Sequence, residues 1–200
     1  MKIIGLTGSI AMGKSETSKM FAAQNIPVFD SDAAVHKLLG QNGAAVEKVG
    51  RRFPGAVTEG KIDRQRLGQD VFEDDGALKA LENILHPMVK NLRDEFLSDA
   101  QSNNQPIVVF DIPLLFEKGY EKECDFIVVA SAAENVQRNR VLKRPGMNEE
   151  KFSSILSNQM PDEEKRRRAD FIVQSDKGIP YAEEQVRHIL KIVREANCAK

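Results

Sequence analysis

The eight residues GSIAMGKS, Gly8 to Ser15, constrain this chain more than any other stretch. They follow an apolar run at 2–7 that reads as a buried strand, and they lead into a segment at 14–24 with helical spacing. The pattern G-x-x-x-x-G-K-[ST] at a strand-to-helix turn has a physical meaning. The backbone N–H groups of such a loop turn inward to form an anion-binding concavity, and the N-terminal end of the new helix adds positive potential. Gly8 and Gly13 permit angles and close approaches that a side chain would obstruct. Ser9, Ile10, Ala11 and Met12 complete the expected nucleotide cradle, with Glu16 in the first helical turn. Lys14 is placed to reach the β- and γ-phosphates, and the Ser15 hydroxyl to ligate Mg²⁺.

The rest of the chain repeats the alternation. Apolar runs at 26–30, 106–113, 125–131 and 170–175 read as further strands. Helical patterns fall at 31–40, 43–53, 64–73, 134–144, 148–160 and 180–196. A long one at 76–101 contains Pro87, where a kink or break is expected because proline removes a donor and crowds the preceding turn. In the first helix, Met20, Phe21 and Ala22 are expected to face the core. Five apolar strands alternating with helices predict an α/β fold with a parallel sheet covered on both faces. Helical segments at about 31–90 and 138–168 are expected over its carboxyl edge, where ligands bind in such folds.

Charged residues then fall into candidate roles. Asp111 ends the apolar run IVVF, as a second nucleotide-binding aspartate that holds Mg²⁺ would. Asp30 and Asp32 end the second strand, and Asp32 is the candidate base that orients an acceptor hydroxyl and takes its proton. The competing reading is a helix N-cap supplied by Ser31 or Asp32. Arg138, Arg140 and Arg144 lie on one predicted helix, with Arg140 and Arg144 sharing a face. Those two suit phosphate contact from a closing lid, whereas at least one of the three arginines at 166–168, in the KRRR run offset by the preceding PDEE, reads as a plain surface residue. Asp63 and Arg64 fit a helix start or a substrate clamp equally, and His86 fits a structural or substrate contact better than a catalyst. The GTPase base-reading signature Asn-Lys-x-Asp is absent from the sequence. These residues by themselves point to an ATP-dependent kinase acting on a small-molecule hydroxyl.

Taken together, the motifs resemble the dephospho-coenzyme A kinase family. GLTGSIAMGKS, VFDSDAAVH, GKIDRQRLGQDVF, LENILHPMV, VVFDIPLLFEKGY, QRNRVLKR and NQMPDEEKRRRAD occur in the family's order along most of the chain. DIPLLFE and NQMPDEEK are the specific blocks, because the phosphate loop alone is widespread. The resemblance implies phosphorylation of the ribose 3′-hydroxyl of dephospho-coenzyme A by ATP. It implies Asp32 as base, with Lys14, Ser15, Arg140 and Mg²⁺ at the phosphates and Arg64, His86, Asp111 and Leu115 toward the acceptor. It further implies a P-loop kinase with a five-stranded core (1–30, 105–137 and 169–200), a mainly helical acceptor-binding region (31–104) and a lid (138–168). The sequence departs from the family's commoner residues at Ser9, Ala11, Glu16, Pro145 and Ser175. Where Ser175 stands, the family commonly has an asparagine that contacts the adenine.

Composition narrows the alternatives. A net charge of −1, from 29 Lys plus Arg against 30 Asp plus Glu, lacks the basic excess of a dedicated nucleic-acid binder. No apolar run approaches the length of a membrane span, and no leader-like segment opens the sequence, so a cytoplasmic protein is expected. Cys124 and Cys198 are too few for a disulfide scaffold. A monomer or small homo-oligomer is expected, working on small molecules without nucleic-acid or membrane partners. Two readings stay open beside the main one: a P-loop kinase for another acceptor, and a nucleotide-binding regulator without turnover.

Overall fold

The computed structural model describes residues 1–72 and 74–198, with the side chains of Phe72, Asp75, Asn197 and Cys198 outside the description. The expectation for the Cys198 thiol therefore lies outside it, as does Glu73 at the end of the predicted 64–73 helix.

The chain divides into two compact units. The first comprises Met1–Phe29 and Ala100–Lys200, the second Asp30–Asp99. Each has its own apolar cluster. Ile4, Leu6, Phe21, Val109, Val128 and Leu190 anchor the first, while Leu38, Val49, Phe53, Leu67, Leu81 and Leu85 anchor the second.

The first unit is built on β1 (Lys2–Thr7), β2 (Val28–Asp30), β5 (Ile107–Asp111), β6 (Phe126–Ser131) and β7 (Phe171–Gln174), which form one sheet in the order β2-β5-β1-β6-β7. β1 runs parallel to both neighbours, β5 and β6, and β6 runs parallel to β7. Every residue of β5 is buried, as parallel strands covered on both faces require. The chain visits one side of β1 with β2 and β5 and the other with β6 and β7. Strand order thus reverses at β1, and the crevice at such a reversal is where ligands bind in open α/β sheets. Register does the rest: Leu6 pairs with Asp111, which sets Asp111 beside the end of β1, two residues before Gly8.

Helix α1 (Lys14–Ala23) buries Thr17, Met20 and Phe21, one face at i, i+3, i+4. Ala22, expected in the core, is exposed because it falls off that stripe. At the other end of the chain, α9 (Ile179–Cys198) packs on α1 and β7. Between β6 and β7 come α6 (Glu134–Leu142), α7 (Glu149–Ser157) and α8 (Asp162–Arg168), all within the first unit. The sequence pattern missed α8 as a helix of its own.

The second unit holds α2 (Ser31–Leu39), α3 (Val46–Arg52), α4 (Arg64–Phe72) and most of α5 (Asp75–Ser102). It also has a two-residue-per-strand hairpin, β3 (Val57–Thr58) and β4 (Lys61–Ile62), that the sequence reading passed over. Its turn residues Glu59 and Gly60 both have positive φ, 49° and 78°, the signature of a tight hairpin that twists with its strands. α5 continues through Pro87, so of the kink or break expected there the break does not occur. Asn83, whose carbonyl loses its helical partner, is exposed and open to water, while Leu81 and Leu85 pin the helix to the core.

Candidate functional site

The loop after β1 has the backbone form of an anion cradle. Ala11 (φ 59°) and Gly13 (φ 95°) are left-handed on either side of Met12, the alternation that turns successive N–H groups into one concavity. Gly13 is the N-cap of α1, so the helix's free N–H groups open onto the loop. A Cβ at Gly13 would lie 2.5 Å from the Ser175 Cβ, so the position excludes a side chain by both angle and space.

Side chains from three segments, α6, the α7–α8 connection and the residue after β7, grip the outside of this loop. Gln137 of α6 donates from Nε2 to the Ile10 carbonyl (2.9 Å), and Gln159, between α7 and α8, accepts the Ile10 N–H on Oε1 (3.0 Å). The Ser175 hydroxyl donates to the Met12 carbonyl (2.8 Å). Arg140 donates from Nη1 to the Ala11 carbonyl (3.3 Å) and to Ser175 Oγ (2.8 Å), and from Nη2 to the Ser175 carbonyl (2.8 Å). Arg140 therefore meets the loop on its carbonyl side, and its guanidinium is committed to protein groups. Arg144 lies beyond the C-terminal end of α6 in an exposed turn, so it does not share a helical face with Arg140 as the spacing predicted. Pro145 and Gly146, the latter at φ 74°, follow in that turn.

At the base of the cradle Lys14 forms an ion pair with Asp111. Asp111 is 2% exposed, held there by the β1–β5 register, while Lys14 is only partly buried. Ser15 and Glu16, in the first turn of α1, are exposed. The donors here are hydroxyl and carboxylate oxygens, the chemistry of a hard cation. No group of three or more His, Cys, Asp or Glu side chains able to hold a metal occurs among the described residues. A centre with one carboxylate suits Mg²⁺, which keeps several waters and binds through substrate phosphates, better than it suits an ion needing an all-protein cage.

The loop that leaves Asp111 is pinned from below. The buried Thr7 hydroxyl donates to the Pro113 carbonyl (2.9 Å), and Lys165 pairs with Glu117 at 2.9 Å and donates to the same carbonyl at 3.4 Å. Glu117 Oε1 also accepts the Met160 N–H (2.7 Å). DIPLLFE and NQMPDEEK are thus joined in space by one buried ion pair. Burial pushes the Glu117 carboxyl up, but the Lys165 ammonium and the Met160 N–H outweigh it and leave the pKa lowered. Lys165, at the head of the basic KRRR run, is wholly buried. Its neighbours in the run do lie on the surface, where Arg167 and Arg168 pair with Glu164; on α6, the exposed Arg138 pairs with Glu149. Leu115 is another correction, because it is fully buried and a Cβ on Gly5 would stand 2.6 Å from its Cδ1. It packs in the interior and offers no surface to an acceptor.

A cavity of about 490 Å³ opens on the α6–α8 side of the loop, lined by Ser9, Met12, Phe152, Asp162 and Arg166 among others. Asp162 accepts from the Ser131 hydroxyl (2.6 Å), and its other oxygen is buried with no hydrogen bond. Burial accordingly raises the Asp162 pKa, beyond what the Ser131 hydroxyl and the Arg166 and Lys165 charges take back.

The second unit carries the remaining candidates. Asp30 caps α2, accepting the Ala33 N–H at 2.9 Å, so the cap is neither Ser31 nor Asp32. Asp32 stays exposed in the first turn. One turn on, His36 faces Arg64, with Nδ1 3.0 Å from Nη1. Arginine is always protonated, so Nδ1 is the acceptor and the ring proton sits on Nε2. The sequence reading did not single out His36, although its i+4 spacing from Asp32 was readable. Asp63 proves to be the start of α4, accepting the Gln65 and Arg66 N–H groups (2.9 and 3.2 Å), and His86 lies exposed on α5.

Comparison with known proteins agrees with this geometry. The family model described as dephospho-CoA kinase matches residues 2–181. The dephospho-CoA kinase of Bradyrhizobium diazoefficiens is 49% identical over 190 residues, covering 95% of this chain and 94% of that one. Among solved structures, a Thermus thermophilus protein superposes with a TM-score of 0.85 at 35% identity, with 96% of each chain covered. Dephospho-CoA kinase from Campylobacter jejuni superposes at 0.71 and 28% identity, with 98% of each covered.

Proposed function

The chain belongs to the dephospho-CoA kinase family, and from that premise we propose that it moves the γ-phosphoryl group of ATP to the ribose 3′-hydroxyl of dephospho-coenzyme A, giving ADP and coenzyme A. The observation that carries the reading is the left-handed pair at Ala11 and Gly13 beside the ion pair of Lys14 with the buried Asp111. A loop of inward N–H groups with a lysine at its base binds and orients a polyphosphate and stabilises charge that develops during transfer. When Mg²⁺ is bound it neutralises phosphate charge, and Ser15 and Asp111 are the residues that would hold it.

Asp32 of the second unit is the base that orients the acceptor hydroxyl and takes its proton. Asp30 is spent on capping α2, which leaves Asp32 as the available carboxylate of the pair. Arg64 and His36, joined to each other, and the exposed His86 supply polar contacts for the acceptor. Arg140 acts on the phosphates through the loop it braces at the Ala11 carbonyl.

The test is a panel of acceptors with Mg-ATP: dephospho-coenzyme A, AMP, CMP, adenosine and shikimate, with ADP release followed and the product weighed. One added phosphate on dephospho-coenzyme A alone is expected. Turnover only on another acceptor would overturn the acceptor assignment, and ATP binding without any turnover would overturn the kinase.

A further inference from the structure

We propose that Gln137 and Gln159 are positioning residues of phosphoryl transfer, which fix the Ile10 peptide groups so that the loop presents the correct N–H groups to the phosphates. The proposal rests on the kinase reading. Gln137 is 4% exposed, and a buried amide needs partners. Its partner, the Ile10 carbonyl, can only accept, so Gln137 must present its NH₂. The partner of Gln159 is an N–H, which can only donate, so Gln159 must present its oxygen. Both orientations follow from the fixed polarity of the backbone.

The two glutamines do different things to the loop. A trans peptide sets its C=O and N–H antiparallel. Holding the Ile10 carbonyl outward, toward Gln137 on α6, therefore turns the Ala11 N–H the opposite way, toward the concavity. Gln159 takes the Ile10 N–H and so removes it from the set of phosphate donors. The Ser9 carbonyl of that same peptide accepts the Met12 N–H (3.1 Å), so the first turn of the loop is closed by the peptide that Gln159 holds. Ala11, held at φ 59° without glycine's freedom, depends on such outside support to keep a conformation that L-residues avoid.

The chemistry gives an asymmetric test. In Gln159→Glu the accepting oxygen survives, whereas Gln137→Glu loses the donor, and both variants add the same charge beside the same residue. Glu and Leu variants at both positions are assayed for kcat, KM for ATP, direct Mg-ATP Kd and Tm. Loss of one such hydrogen bond is worth roughly tenfold. Gln137→Glu is expected to fall about tenfold below Gln159→Glu in kcat/KM for ATP, and both Leu variants about tenfold below wild type. Equal Glu variants, Leu variants within about twofold of wild type, or losses that vanish once corrected for the folded fraction would overturn the proposal. The Kd comparison needs no acceptor, so an error in the acceptor shows as absent wild-type turnover while the Kd differences still report on the glutamines.

Discussion

Lys165 shows how much a single position in this chain carries. It belongs to a run of four basic residues, yet it is wholly buried against Glu117, which is itself mostly out of water. A buried pair adds little over an apolar pair of the same shape, but removing one partner strands the other charge. Lys165→Met is therefore expected to cost about 3–5 kcal/mol at neutral pH, and Lys165→Met with Glu117→Leu to recover most of it. Urea unfolding measures both. The pH response gives the sign. Glu117 has a lowered pKa, so its contribution is present above its unfolded pKa and is lost as pH falls through the folded one. Without Lys165 the carboxyl keeps its burial and the Met160 N–H but loses its cation, so its pKa rises relative to the wild type and the single variant should lose less stability on acidification. A variant that loses less than about 1 kcal/mol, or with the wild-type acid response, would mean the pair is idle.

At the scale of elements, α9 is the plainest case of pattern becoming structure. Ala182, Val186, Ile189, Leu190 and Val193 are all buried, a stripe of 4, 3, 1 and 3 residue steps facing α1 and β7. Leu190→Ala should cost about 2–5 kcal/mol in denaturant unfolding with little change in the Mg-ATP Kd, and a cost under about 1 kcal/mol would mean the helix contributes little to the core. Burial made the five strands legible as apolar runs and α1 as a helical pattern, and the phosphate loop was legible from its glycine and lysine spacing. What stayed hidden depended on partners far away in the chain. Nothing within KRRR marks Lys165 as buried, since Glu117 lies elsewhere. Leu115 resembled a site residue by its neighbours, but its fate was set by the space over Gly5. The predicted helix through Arg144 stopped at Leu142, and Pro87 failed to stop α5 because the lost bond faces water. The hairpin at 57–62 was readable from Glu59-Gly60 and was overlooked because each strand is only two residues long.

For the whole molecule, two units with separate cores hold different halves of the proposed chemistry. The first carries Lys14, Asp111 and the loop with its outer supports, and the second carries Asp32, His36 and Arg64. Binding ATP and activating the acceptor hydroxyl are thereby assigned to different stretches of chain, so a substitution can remove one and leave the other. Asp32→Asn is the sharpest instance, because the amide keeps the shape of the carboxylate and cannot take the proton. Mg-ATP affinity and the rate of phosphoryl transfer to dephospho-coenzyme A should be measured side by side on this variant. Loss of a general base predicts transfer slowed by about 10²–10⁴-fold with the ATP Kd within about twofold of wild type. Transfer at the wild-type rate would contradict the assignment and require another group to take the proton.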